Sequence, residues 1–288
     1  MSGVSDLIRR EFKKSDDIRD AGLTTPEDIV RCDDIVYGED PKWQSLDVYR
    51  PRAAEGKALP VIVSVHGGGW VYGDKERYQY YCMNLAQRGF AVVNFSYRLA
   101  PESKFPAPLE DTNAVFAWIL DNAEQYGFDT AHIFAVGDSA GAHLLGLYSG
   151  ICTNAEYAKE YAFHTPEGFA PTAIALNCGA YTPTPERDEL MREFLPGREP
   201  EREQMLVNVL SHITPAFPPT FLMTSNADFL KEQAPVLAAK LMEQTVPFVY
   251  RFYGDRDHEL GHVFHCNIRT EDARLCNDEE CDFFKRFL

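Results

Sequence analysis

The sequence predicts an α/β architecture, a mainly parallel, doubly wound sheet flanked by helices, and three observations carry that expectation. Short apolar runs recur from Pro60 onward, at 61–65, 90–95, 133–136, 173–176, 220–224 and 248–253. The first of them, Val-Ile-Val-Ser-Val, is apolar on both faces, as a strand covered on both sides must be. Between the runs lie stretches that read as helices, near 75–87, 109–124, 140–153, 233–243 and 278–287. Strands alternating with helices at this interval wind a parallel sheet. Finally, 288 residues with 45% hydrophobic content suffice for one large domain with a sizeable core.

The N-terminal segment is less regular. Val4, Leu7, Ile8 and Phe12 stand among charges at helical spacing, which predicts a helix over 4–14 with one apolar face. Thr24-Thr25-Pro26-Glu27 reads as a second helix start, with a cap and a proline in the first turn. Residues 35–37 and 46–49 read as two short antiparallel strands at the sheet edge. Residues 1–34 are expected to form a cap segment of the single domain. A second irregular stretch, 182–215, is rich in Pro, Glu and Arg. It is expected to be a lid insertion above the strand C-termini, where open α/β sheets bind ligands.

Composition narrows the function. The formal net charge of −16 argues against nucleic acid and against anionic membrane surfaces as partners. Seven cysteines at irregular spacings, with no Cys-x-x-Cys pair, suggest reduced thiols in a cytosolic setting. The start, Met1-Ser2-Gly3-Val4, lacks the plan of a signal peptide, and no apolar run approaches membrane-spanning length. A cytoplasmic protein is the expectation. No His/Cys/Asp cluster has ligand spacing, so no metal is expected.

Two motifs carry chemistry. Gly137-Asp138-Ser139-Ala140-Gly141 sits between an apolar strand and a helix-forming run. A serine on so tight a strand-to-helix turn is lifted above the sheet, and glycines two positions to either side remove clashes with the neighbouring backbone. The helix that follows points unpaired N–H groups and a positive partial charge at the site. His66-Gly67-Gly68-Gly69-Trp70 follows the 61–65 strand. Acyl transfer passes through an oxyanion, and consecutive glycines let backbone N–H groups come close enough to hold it. The expected donors are Gly67, Gly68 and Ala140. Asp138 and Trp70 are expected beside the substrate, and His66 is expected to tie the loop rather than shuttle protons.

With Tyr97-Arg98-Leu99-Ala100-Pro101-Glu102, Phe105-Pro106-Ala107-Pro108 and Asp111, these motifs closely resemble the hormone-sensitive-lipase-like esterases of the α/β-hydrolase fold. The resemblance runs from Leu46 to the C-terminus. It implies hydrolysis of a small-molecule carboxylic ester without metal or cofactor, and often a homodimer. Ala142 stands where many members carry a second glycine, and Trp70 where many carry phenylalanine. Arg98 and Asp111 read either as a charge pair pinning the intervening loop or as unrelated surface charges.

The order nucleophile, acid, base along the chain is that of this fold. Asp228, just past the 220–224 strand, resembles the family's acidic position and would orient an imidazole. Three histidines compete for the base: His258 in a densely charged run, His262, and His265. Gly-His-Val-Phe resembles the family's Gly-His-Gly-Phe and selects His262. Two other functions share this scaffold. Arylformamidase-like amide hydrolysis uses a similar glycine loop, although the Tyr-Arg-Leu-Ala-Pro-Glu stretch counts against it. A non-catalytic small-molecule receptor would lack the histidine.

Overall fold

The computed structural model describes residues 3–183 and 189–288. Eight strands form one sheet in the order β1-β2-β4-β3-β5-β6-β7-β8. They are β1 (Ile29–Val36), β2 (Ser45–Pro51), β3 (Leu59–Val65), β4 (Ala91–Phe95), β5 (Phe128–Asp138), β6 (Ala173–Asn177), β7 (Thr220–Ser225) and β8 (Phe248–Tyr253). β1 and β2 run antiparallel at one edge, and every pairing from β4 across to β8 is parallel.

The helices are α1 (Val4–Asp20), α2 (Lys75–Ala86), α3 (Ala107–Asp121), α4 (Ala123–Tyr126), α5 (Ala140–Thr153), α6 (Ala155–Ala158), α7 (Glu189–Phe194), α8 (Pro200–Leu206), α9 (Gln233–Glu243) and α10 (Glu271–Phe284). The two-residue period of the strands divides the core between two layers. Val61, Val63 and Val65 pack in one cluster with Leu109, Leu144 and Leu237 of α3, α5 and α9. Ile62 faces the other way, into a cluster with Tyr81 and Leu85 of α2 and Phe284 of α10. Among the described residues, no helix is long and apolar enough to cross a membrane.

The parallel rhythm follows the sequence closely, and the differences have local causes. No helix starts at Thr24. Residues 24–28 are loop and turn, and β1 begins at Ile29, six residues before the expected strand. Ile29 is drawn into register opposite Pro51 and is buried, so the sheet edge claims this stretch before a helix can form. α10 starts at Glu271 rather than near 278, because the Thr270 hydroxyl accepts the Ala273 N–H and caps it there. Arg98 and Asp111 do pair. The Arg98 Nη2 and the Arg98 backbone N–H donate to the buried Asp111 carboxylate at 2.8 and 2.7 Å, pinning the loop between β4 and α3.

The stretch expected as a lid holds α7, α8 and a 3-10 turn, Val209–His212, while 184–188 lie outside the described residues. Phe194 of α7 stacks on Trp70 at 5.4 Å between ring centres. The expected cap segment, 1–34, holds α1 and the start of β1.

Candidate active site

β5 runs straight into α5, and Ser139 sits between them at φ 52° and ψ −117°. A serine held in the left-handed region is strained, and such strain persists only where surrounding structure imposes it. Here the Ser139 N–H donates to the Asn177 carbonyl at 2.9 Å, and the Ser139 carbonyl accepts the His143 N–H at 3.2 Å. The flanking glycines leave no alternative. A methyl on Gly137 would stand 2.6 Å from the Gly141 carbonyl oxygen, and one on Gly141 would overlap the Val65 carbonyl oxygen.

Asp228 lies in the turn after β7 and is buried. Its Oδ2 accepts the Thr224 hydroxyl at 2.7 Å, and its Oδ1 accepts the Leu230 N–H at 2.9 Å and His262 Nδ1–H at 2.6 Å. Burial pushes this carboxyl up, but the His262 contact and the other hydrogen bonds outweigh it and hold the group below the usual aspartate range. His262 Nε2 lies 2.9 Å from Ser139 Oγ. Ser139, His262 and Asp228, gathered from three separate loops, therefore stand in one unbroken chain of hydrogen bonds.

The loop after β8 reaches this point because it is stitched to the loop after β7. Leu260 N–H donates to Asn226 Oδ1 at 2.8 Å, Ala227 N–H to the Leu260 carbonyl at 3.1 Å, and Ser225 Oγ to the Gly261 carbonyl at 3.1 Å. The competing histidines point elsewhere. His258 is exposed and meets Asp272 at 3.0 Å, and His265 is fully buried beside Cys266 and Tyr81.

Ser139 opens on a cavity of about 250 Å³ lined by Gly67, Gly68, Asp138, His262, Val263 and Phe229, with Tyr72, Tyr78 and four residues of α1. Those four are Phe12, Ser15, Asp16 and Arg19, and none belongs to a motif. Among the described residues, α1 rather than the 189–215 stretch covers the cavity. Phe229, 72% exposed, lies at the rim with its ring 4.2 Å from that of His262. Its place beside Asp228 is the signal that could have found it.

The glycine loop borders the same cavity. The amides of Gly68, Gly69 and Ala140 take no partner among the described residues, whereas the Gly67 N–H donates to the Tyr78 hydroxyl at 2.9 Å. The expectation that Gly67 supplies a free donor is thereby corrected: its amide is already committed. Trp70 is a second correction. It is buried, donates from its indole N–H to His143 Nδ1 at 3.0 Å, and does not line the cavity. Asp138 does line it, with its carboxylate accepting the Tyr78 hydroxyl at 2.7 Å, and burial raises its pKa to about 6. His66 stacks on Tyr97 at 4.0 Å and contacts the Gly67 carbonyl at 2.8 Å, and burial lowers its pKa to about 4, so it stays neutral.

Among the described residues, two groups of side chains are compact enough to hold an ion: Cys178, Asp228 and His262, and Asp138, His265 and Cys266. Their chemistry does not favour one. Asp228 and His262 are engaged with each other, and the Asp138 carboxylate accepts the Tyr78 hydroxyl.

The sheet order, the strained serine between strand and helix, and the histidine reaching back from the last loop define an α/β-hydrolase. The chain belongs to the BD-FAE family, whose model matches residues 46–241, within the hormone-sensitive-lipase-like group. It is 34% identical over 205 residues to esterase LipC of Mycobacterium tuberculosis, covering 62% of this chain and 49% of that one. It is 28% identical over 212 residues to an esterase of Gibberella moniliformis, covering 68% and 65%. The chain thus spans less than two thirds of the length of these relatives. Esterase B from Lactobacillus rhamnosis, solved with a C6–C4 inhibitor, superposes with a TM-score of 0.90 at 26% identity, covering 98% of this chain and 95% of that one. The esterase of Pyrobaculum calidifontis gives 0.77 at 25% identity, covering 99% and 93%.

Proposed function

We propose that this chain is a serine carboxylesterase that hydrolyses short acyl esters through an acyl-enzyme. Ser139 Oγ attacks the ester carbonyl, and His262 Nε2 takes its proton. Asp228 holds the other ring nitrogen and stabilises the imidazolium that forms. The oxyanion is held by the Gly68 and Ala140 amides, joined by that of Gly69 in place of Gly67. His262 then gives its proton to the leaving alcohol, and water repeats the sequence on the acyl-enzyme. The hydrogen-bond chain Ser139–His262–Asp228 at the floor of a cavity carries this reading. The esterases among the relatives support it, as does the inhibited state of the Lactobacillus neighbour. A cavity of about 250 Å³, closed on one side by α1, favours acyl groups of two to six carbons over long lipid tails.

A fluorophosphonate probe tests the proposal. One label on Ser139, located by mass spectrometry and abolished in Ser139→Ala, is expected. Specificity constants on nitrophenyl esters should be highest between two and six carbons. Labelling that survives Ser139→Ala at the wild-type rate overturns the mechanism. A steady rise to long chains overturns the chain-length preference, and faster turnover of a formamide than of an acyl ester overturns the ester assignment.

A further inference from the structure

Tyr78 belongs to none of the sequence motifs. It lies in the first turn of α2, whose start is fixed by Asp74 accepting the Arg77 N–H. Its side chain is 7% exposed, and its ring packs between those of His66 and Tyr81, with centroids 5.7 and 6.4 Å away. The hydroxyl that this ring carries is used in both directions. It donates its one proton to Asp138 Oδ2 at 2.7 Å and accepts the Gly67 N–H at 2.9 Å.

Asp138 immediately precedes Ser139, and Gly67 immediately precedes Gly68. One oxygen atom thus ties the nucleophile turn to the glycine loop at the residues just before the groups that matter. We infer that Tyr78 is a positioning residue for the oxyanion hole, setting the separation of the Gly68 and Ala140 amides through the bridge Gly67–Tyr78–Asp138. The inference rests on the esterase reading above.

The surroundings fit this role. A methyl placed on Gly67 would stand 2.6 Å from Asp138 Oδ2 and 3.0 Å from the Tyr78 oxygen, so the loop and the turn already touch where the hydroxyl bridges them. Burial, reinforced by the Asp138 charge, pushes the Tyr78 hydroxyl well above its ordinary pKa and keeps it a proton donor. The same bridge commits the Gly67 amide and leaves oxyanion binding to the glycines after it. Without the hydroxyl, a buried carboxylate loses its donor and a buried amide its acceptor. The loop is then free to shift relative to Ser139. A misplacement of about 1 Å in such a site costs on the order of 100-fold.

Steady-state kinetics on nitrophenyl butyrate, with unfolding in urea measured in parallel, test the assignment. Tyr78→Phe keeps the ring and removes the bridge. Its kcat should fall roughly 10- to 100-fold while KM stays within about twofold. Asp138→Asn retains an oxygen that can accept the Tyr78 hydroxyl and should lose less kcat than Asp138→Ala, which should fall as far as Tyr78→Phe. The Tyr78→Phe/Asp138→Ala double variant should be no slower than the slower single, because both cut the same bridge. A folded Tyr78→Phe with wild-type kcat overturns the inference, as does a loss confined to KM or full additivity in the double variant. Should Tyr78→Phe fail to fold, equal kcat in Asp138→Asn and Asp138→Ala overturns it. Failure of the wild-type chain to hydrolyse any ester would instead remove the esterase reading on which the inference stands.

Discussion

The nucleophile turn and helix α1 border the same cavity and are built in opposite ways. Around Ser139 the backbone is fixed from all sides: Asp138, Ala140, Gly141 and Ala142 are buried, and the strained serine is held by main-chain bonds to β6 and α5. In α1, Ser5 is the one buried residue among seventeen, and side chains near the surface hold the helix down. Arg9 donates to the carbonyls of Val71 and Ala100 at 2.8 and 3.0 Å and pairs with Glu102 at 2.6 Å. The Tyr72 hydroxyl donates to Asp16 at 2.8 Å, and Arg19 to the Arg77 carbonyl at 2.6 Å. Buried main-chain packing is intolerant of change. Partly exposed polar contacts are worth less each and can be exchanged. Under the proposed function, the difference assigns reactivity to the turn and access to the helix.

The largest expected effect falls on the rigid side. His262→Ala should lower turnover about 10⁴-fold while leaving the protein folded, because a triad base acts only through the reaction. His258→Ala, which loses an exposed contact with Asp272, should change turnover by no more than a few-fold. Full activity in a folded His262→Ala would show that the turn does not work through this histidine.

Next comes the cost of burying charge beside the serine. Asp138 titrates near 6 in the folded chain, above its unfolded value of about 3.9. An acid whose pKa is raised on folding contributes stability below the unfolded value, and that contribution is lost as pH rises through the folded one. The Asp138 contribution to the unfolding free energy should therefore fall by about 3 kcal/mol between about pH 4 and pH 6. Glu280, fully buried and raised to about 7, acts in the same direction, whereas His66 and His143, lowered by burial to about 4, and His265, lowered to about 3, act in the opposite one, because their unfolded forms take up protons first as pH falls. Urea titrations at pH 4, 5.5 and 7 should show Asp138→Asn gaining about 3 kcal/mol on the wild-type chain as pH rises across this range. Absence of that gain would mean that the turn carries no such penalty.

The smallest effect should come from the cover. Arg9→Ala removes one ion pair and two carbonyl contacts, worth about 1 kcal/mol together at this exposure. The amides of α1 should then exchange hydrogen several-fold faster, while kcat on a small ester changes less than about threefold. A collapse in kcat would place α1 with the catalytic machinery and erase the contrast.

Much of this was legible in the chain itself. The parallel strands, α5 and α9 were visible because buried strands carry continuous apolar runs and helices keep their period. Ser139 was visible because its turn needs glycines at fixed positions, Asp228 because it follows a strand end and resembles the family's acidic position, and His262 because Gly-His-Val-Phe resembles the family's motif. These are local demands of backbone and pattern, which the amino acids state by themselves. The commitment of the Gly67 amide, the burial of Trp70 away from the cavity, the bridge through Tyr78 and the placing of α1 over Ser139 were not legible. Each depends on a partner far along the chain, at separations of 11 residues for Gly67 and Tyr78, 60 for Tyr78 and Asp138, and 73 for Trp70 and His143. Which hydroxyl meets which amide at such distances is decided only when the sheet brings the loops together. Sequence therefore determined which groups could react, and tertiary packing decided what surrounds and orients them.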